Sequence, residues 1–90
     1  FKLLERQVNY TAAELTVYRG ASLELAPLTD GACHILVVEG RTKISAGSKR
    51  KDLRAGQTFT CRAPANVNIE NVAKSDLHLI QVELGMGSGD

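Results

Sequence analysis

Four side chains in this 90-residue chain could serve a metal or redox site: Cys33, His34, Cys61 and His78. Their placement is unpromising. His78 lies too far from His34, on a different strand, for any recognisable histidine-pair spacing, so both read as structural or solvent-facing histidines. Two cysteines do not make a disulfide framework, since small secreted scaffolds usually carry four or more. They read as reduced core thiols or as one optional bridge, and Cys33 is the one to watch if oxidation or a metal matters. A second group could bind anions. Arg41, Lys43, Lys49, Arg50, Lys51 and Arg54 fall within fourteen residues, opposed only by Asp52. The run fits a phosphate site with Arg41, Lys43, Arg50 and Arg54 as charge partners. It fits better a solvated hairpin whose lysines discourage edge-to-edge pairing. With no aromatics interleaved for base stacking and a net charge of +1, nucleic acid is not an expected partner. No residue is nominated as catalytic.

The elements that must position these groups are strands. Ninety residues suffice for one core and not for two. With no Trp and only Phe1, Tyr10, Tyr18 and Phe59 as aromatics, that core rests on Leu, Ile and Val. Apolar and polar residues alternate from Glu14 to Tyr18, and further strands are predicted at Ser22–Leu25, His34–Val38 and Thr42–Ser45. Gly47-Ser48 reads as a two-residue hairpin turn into a basic strand ending at Leu53. Strands follow at Gln57–Cys61, Val67–Asn71 and Leu77–Leu84, with turn signals every eight to twelve residues, as in a sandwich or barrel. The unbroken apolar run at His34–Val38 predicts a strand buried on both faces. No ten-residue segment shows a helical period. Residues 1–90 are read as a single domain, with 85–90 a flexible tail. The chain opens on Phe1, as a processed chain or a piece of a longer protein would. No apolar run could span a bilayer and no signal-like segment opens the chain, so no membrane contact and a cytoplasmic location are expected.

The stretch Gly20-Ala21-Ser22-Leu23-Glu24-Leu25, followed by the run from His34 to Ile44, resembles the first cupin motif. Within cupins it is most similar to the C-terminal domain of type II phosphomannose isomerase, often fused to mannose-1-phosphate guanylyltransferase. Ala55-Gly56-Gln57-Thr58-Phe59, running on to Ile69-Glu70-Asn71-Val72, resembles the second motif, and Leu77–Gly85 resembles the closing strand. The resemblance covers roughly residues 10 to 85. It implies an all-β, antiparallel, double-stranded β-helix, the jelly-roll barrel of the cupins.

It also implies where a divalent metal would sit. The family's ligands are Gln-x-His in the first loop, a Glu seven residues before a strand-ending Gly, and a His in the second motif. By spacing these fall on Ala26, Leu28, Cys33 and Val67, three of which cannot coordinate anything. The family's adjoining His, His and Arg fall on Thr29, Asp30 and Gly31. Strand alternation puts Cys33, Ile35 and Val37 on one face and Ala65, Val67 and Ile69 on another, the faces that look into the family's barrel. Replacing nearly every ligand with a small or apolar residue is what packing the old site into core would require, because a half-lost site strands buried polar groups. No metal and no cofactor are therefore expected.

The resulting expectation is a non-catalytic cupin-like domain, an assembly or accessory part related to mannose-phosphate and GDP-mannose enzymes. Its expected partners are a second copy packed through sheet faces and an upstream enzyme domain. One alternative is a metal-independent module binding a sugar phosphate or nucleotide sugar through the basic run and Arg62. The other is a mannose-6-phosphate isomerase-like enzyme, for which neither metal nor base stands at the matching positions.

Overall fold

A computed structural model describes residues 10–25 and 27–85. It contains eight strands: β1 (Tyr10–Val17), β2 (Ser22–Glu24), β3 (Ala32–Glu39), β4 (Arg41–Ala46), β5 (Lys49–Arg54), β6 (Thr58–Arg62), β7 (Val67–Asn71) and β8 (Leu77–Leu84). No helix is present among the described residues, and so none is long and apolar enough to cross a membrane. Ala26 and all but the first residue of the tail expected at 85–90 lie outside the described residues.

The chain behaves as one long antiparallel ribbon doubled back at the β4–β5 hairpin. Gly47 stands at φ +63°, the first central position of a two-residue turn, where glycine's missing Cβ removes the strain. From that turn outward β4 pairs with β5, β3 with β6, β2 with β7 and β1 with β8. Winding this ribbon gives two four-stranded sheets, in the orders β1-β8-β3-β6 and β2-β7-β4-β5. That is the jelly-roll arrangement, consistent with the double-stranded β-helix expected from the sequence.

The inner faces of the two sheets meet in a single apolar cluster that includes Cys33, Ile35, Val37, Ile44, Phe59, Val67, Ile69, Leu77 and Leu79. Burying each aliphatic side chain there contributes on the order of 1.5–3 kcal/mol. The two buried polar side chains are both satisfied. Thr42 donates to the Glu70 carbonyl at 2.8 Å, and the Asn71 amide donates to the carbonyls of Val17 and Ser75 at 2.8 and 2.9 Å. Asn71 Oδ1 also accepts from the Ala73 amide at 2.9 Å. This one side chain thus fastens β7 of one sheet to the end of β1 in the other. Among the described residues no buried side-chain nitrogen or oxygen lacks a partner.

One expectation fails. The apolar run of β3 is buried on one face only: Ile35 and Val37 are fully enclosed, while Leu36 and Val38 are 37% and 50% exposed. Register with β8 slips between Val37 and Glu39, a bulge at Val38. The run is continuous because Leu36 and Val38 are apolar on the outer face as Ile35 and Val37 are on the inner one, and Leu36 and Val38 stay exposed.

Candidate functional site

Three of the four positions matching the family's metal ligands can be placed. Leu28 is held between the sheets by a bridge to Ala65, its amide donating to the Ala65 carbonyl at 2.8 Å and its carbonyl accepting in return at 3.0 Å. Val67 opens β7, and Cys33 sits one residue into β3. Leu28, Cys33 and Val67 are 7%, 1% and 2% exposed and belong to the same apolar cluster. A divalent ion needs several oxygen or nitrogen donors turned toward one point. Here Leu28 and Val67 offer only aliphatic side chains, and Cys33 a thiol. Among the described residues no group of three or more His, Cys, Asp or Glu side chains could hold a metal ion. The residues present do not fit the family's metal.

The structure adds a juxtaposition that sequence spacing did not reveal. Cys33 on β3 stands directly opposite Cys61 on β6, and both cysteines are free. On its other side Cys33 pairs with Glu83 of β8, and Gln81 of the same strand brings its amide within 4.0 Å of the sulfur. That amide also donates to Glu83 Oε2 at 2.7 Å. One end of the barrel interior is therefore a row of Cys61, Cys33 and Glu83 with Gln81 beside it. Burial pushes the Cys33 thiol up to about 11, helped by Cys61 and Glu83 and opposed by the Gln81 hydrogen bond. Burial also raises Cys61, against the pull of the Lys49 charge. The signal in the sequence was the inward phase of Leu77 and Leu79, which alternation carries on to Gln81 and Glu83.

The histidines lie on the outer surface of the β1-β8-β3-β6 sheet. His34 Nδ1 is 3.2 Å from Thr60 Oγ1. His78 Nδ1 is 3.3 Å from Thr16 Oγ1, and its Nε2 is 3.7 Å from Glu39 Oε1. The two rings serve different threonines and do not converge.

Arg41, Lys43, Arg50 and Arg54 are gathered on the outer face of the other sheet. Arg41 is the direct partner of Arg54, Lys43 of Asp52, and Ser45 of Arg50. Lys43 also pairs with Glu70 of β7. A surface hollow of about 570 Å³ is lined by Lys43, Arg50 and Lys51 together with Asp52 and Glu70. The cations are thus interleaved with carboxylates. Lys49 departs from the group, bridging to the β6 edge, where its ammonium contacts the Thr60 carbonyl and lies 4.9 Å from the centre of the Phe59 ring.

Comparison with known proteins agrees with this architecture. The Schizosaccharomyces pombe Cnp3 cupin domain superposes with a TM-score of 0.80 at 14% identity, over 94% of this chain and 60% of that one. A cupin protein from Bacteroides fragilis gives 0.76 at 13% identity, over 90% and 70%. A de novo designed double-stranded β-helix gives 0.68 at 16% identity, over 82% and 97%. The chain also spans only 60% of a similar Photorhabdus luminescens protein. At these identities the likeness is one of fold. No curated protein is similar enough in sequence to match. The family model described as "Mannose-6-phosphate isomerase C-terminal" matches residues 1–90. With its jelly-roll order and the inward faces of β3 and β7 where that family's barrel lies, the chain belongs to the mannose-6-phosphate isomerase C-terminal family, a cupin-type domain.

Proposed function

We propose that this domain does no divalent-metal chemistry and acts as an assembly or accessory domain, associated with mannose-phosphate or GDP-mannose enzymes and joined to a second copy of itself. The observation that carries the reading is the burial of Leu28, Cys33 and Val67 in continuous core. Aliphatic side chains at Leu28 and Val67 offer no donor that could hold a metal beside a sugar.

The partner is inferred from the outer face of β1-β8-β3-β6. At its centre Leu36 pairs with Ile80, and Val82, Leu84 and Ala32 extend the apolar stripe along the two middle strands, broken at His34, the partner of Val82. In an isologous contact with its two-fold axis along those strands, β8 of each copy lies over β3 of the other, so Ile80 meets Leu36. Three eight-residue strands about 23 Å long and the five-residue β6 about 13 Å long, spaced about 4.8 Å apart, offer roughly 400 Å² per copy. A pair buries about 800 Å², well below the roughly 1,200 Å² at which stable interfaces begin, so a weak dimer that forms at high micromolar concentration is expected. Light scattering at high micromolar concentration should give twice the chain mass for the wild type and the single mass for Leu36→Lys. A monomeric wild type would remove the homodimer and leave another domain of a longer protein as the cover.

A second reading draws on the shared sheet face of Arg41, Lys43, Arg50 and Arg54, which line two hollows there: a metal-independent site for a sugar phosphate on the charged sheet. The interleaved Asp52 and Glu70 weigh against it, since they cancel much of the field an anion would feel. NMR titration with mannose phosphates and GDP-mannose decides it, and no shift at millimolar ligand removes it.

A further inference from the structure

At one end of the barrel the family's hard-metal position and its cross-strand neighbour are both thiols. Cys33 and Cys61 are register partners, 1% and 8% exposed. Directly opposed residues of an antiparallel pair have Cβ atoms about 4.5–5.5 Å apart, and here each sulfur perturbs the ionisation of the other. Cys61 also lines a hollow of about 600 Å³ at the barrel mouth, beside Leu28, Lys49 and Pro64, so the pair has a path to solvent.

The donor set decides which ligand this pair suits. Glu83 lies beside Cys33, yet among the described residues no third His, Cys, Asp or Glu joins the two sulfurs in a group that could hold a metal. The two sulfurs therefore cannot complete a tetrahedral zinc site, nor the oxygen shell of a hard cation. A soft monovalent ion with a filled d shell prefers thiolates and is satisfied by two of them in line. We propose that Cys33 and Cys61 form a two-coordinate site for such an ion, cuprous copper being the physiological member of the class. Binding replaces both S–H bonds with S–Cu bonds and releases two protons to solvent, with no change of oxidation state. The product, a copper bis-thiolate, carries one negative charge. The Lys49 ammonium, whose field already reaches Cys61, offsets that charge from the solvent side, and the Gln81 amide points at the Cys33 sulfur. Glu83, beside Cys33 on β8, opposes it and sets a limit on affinity.

The site goes beyond the assembly reading and does not depend on it. The test is anaerobic titration of the fully reduced chain with cuprous ion buffered by bicinchoninate, with zinc and manganese as comparison metals. The expected result is one copper withdrawn from the chelator per chain, with thiolate-to-copper charge-transfer absorption in the ultraviolet. Cys33→Ser and Cys61→Ser should each weaken binding at least about 100-fold, since even loss of an outer-shell partner costs 10–100-fold. Should Cys33→Ser fail to fold, Cys61→Ser at the solvent mouth and copper-edge X-ray absorption of the wild type remain decisive. Two sulfur neighbours support the site. No withdrawal from the chelator, or unchanged binding in a folded serine variant, overturns it. So does a mass loss of two hydrogens with no copper retained, which would mark a disulfide instead. Retention of zinc or manganese would count against the reading of the packed core and leave the copper result to stand on its own.

Discussion

The two sheets share one core but turn opposite surfaces to the outside. On β2-β7-β4-β5 the outward positions are Ser22, Glu24, Asn68, Glu70, Arg41, Lys43, Arg50, Asp52 and Arg54, all exposed and of both charge signs. On β1-β8-β3-β6 the central outward positions are Ile80, Val82, Leu84, Ala32 and Leu36, interrupted by His34 opposite Val82 and by His78 near the start of β8. A sheet with one wet face alternates cleanly, and the first sheet obeys that rule. The second breaks it along its two middle strands. The difference separates a surface built to stay solvated from one that is stable only when covered, since an apolar patch of this kind usually marks an interface.

The largest expected effects come from positions where the sheets tolerate no side chain. Gly31, leading into β3, has φ +79°, and a Cβ there would stand 1.6 Å from the Leu84 carbonyl oxygen. Gly31→Ala should therefore cost at least about 3 kcal/mol in chemical denaturation, left-handed strain plus a backbone clash. Gly47→Ala, in the hairpin of the charged sheet, meets nothing within 4 Å and should cost only about 1 kcal/mol. Equal losses would erase this contrast between the sheets.

Asn71→Ala removes the link from β7 to the Val17 and Ser75 carbonyls. It should cost about 2–3 kcal/mol, because buried backbone groups lose their partners. On the two outer surfaces the effects are smaller and differ in kind. Leu36→Lys should change monomer stability by less than about 1 kcal/mol while abolishing self-association. Arg54→Gln should leave association intact and stabilise by at most about 0.5 kcal/mol, by relieving the cross-strand Arg41 charge. Association lost in Arg54→Gln and kept in Leu36→Lys would reverse the assignment of the surfaces.

An effect of a different kind is in the pH dependence. Burial raises the Cys33 thiol from 9.0 to about 11, so between these values the unfolded chain gives up a proton that the folded chain keeps. Stability should fall as pH rises through that window and level off above it. Cys33→Ala should flatten the slope, read from denaturation midpoints at pH 8 to 11.

Much of this was legible in the strand pattern. Alternation placed Cys33, Ile35 and Val37 on one face of their strand and Val67 and Ile69 on one face of theirs, and the resemblance turned those faces inward, where all five are buried. Leu28, in a loop, was found only through the spacing of the family's motif. The start of β1 at Tyr10 was missed because Thr11, Ala12 and Ala13 are exposed and carry no alternating signal. The outward Leu36 and Val38 were misread as enclosed, since an apolar run shows that a face is apolar and not that anything covers it. The Cys33–Cys61 and Arg41–Arg54 pairs were out of reach. Cross-strand register depends on how the ribbon winds, and no local spacing encodes that.

The central claim is that the family's metal position is now packed core. Residue-resolved NMR of the folded chain with stoichiometric manganese tests it most directly, since a bound paramagnetic ion broadens every signal near it. We expect the amides of Leu28, Cys33 and Val67 to keep their intensity relative to the rest of the chain. Selective loss of those three signals at one equivalent of manganese would contradict the account.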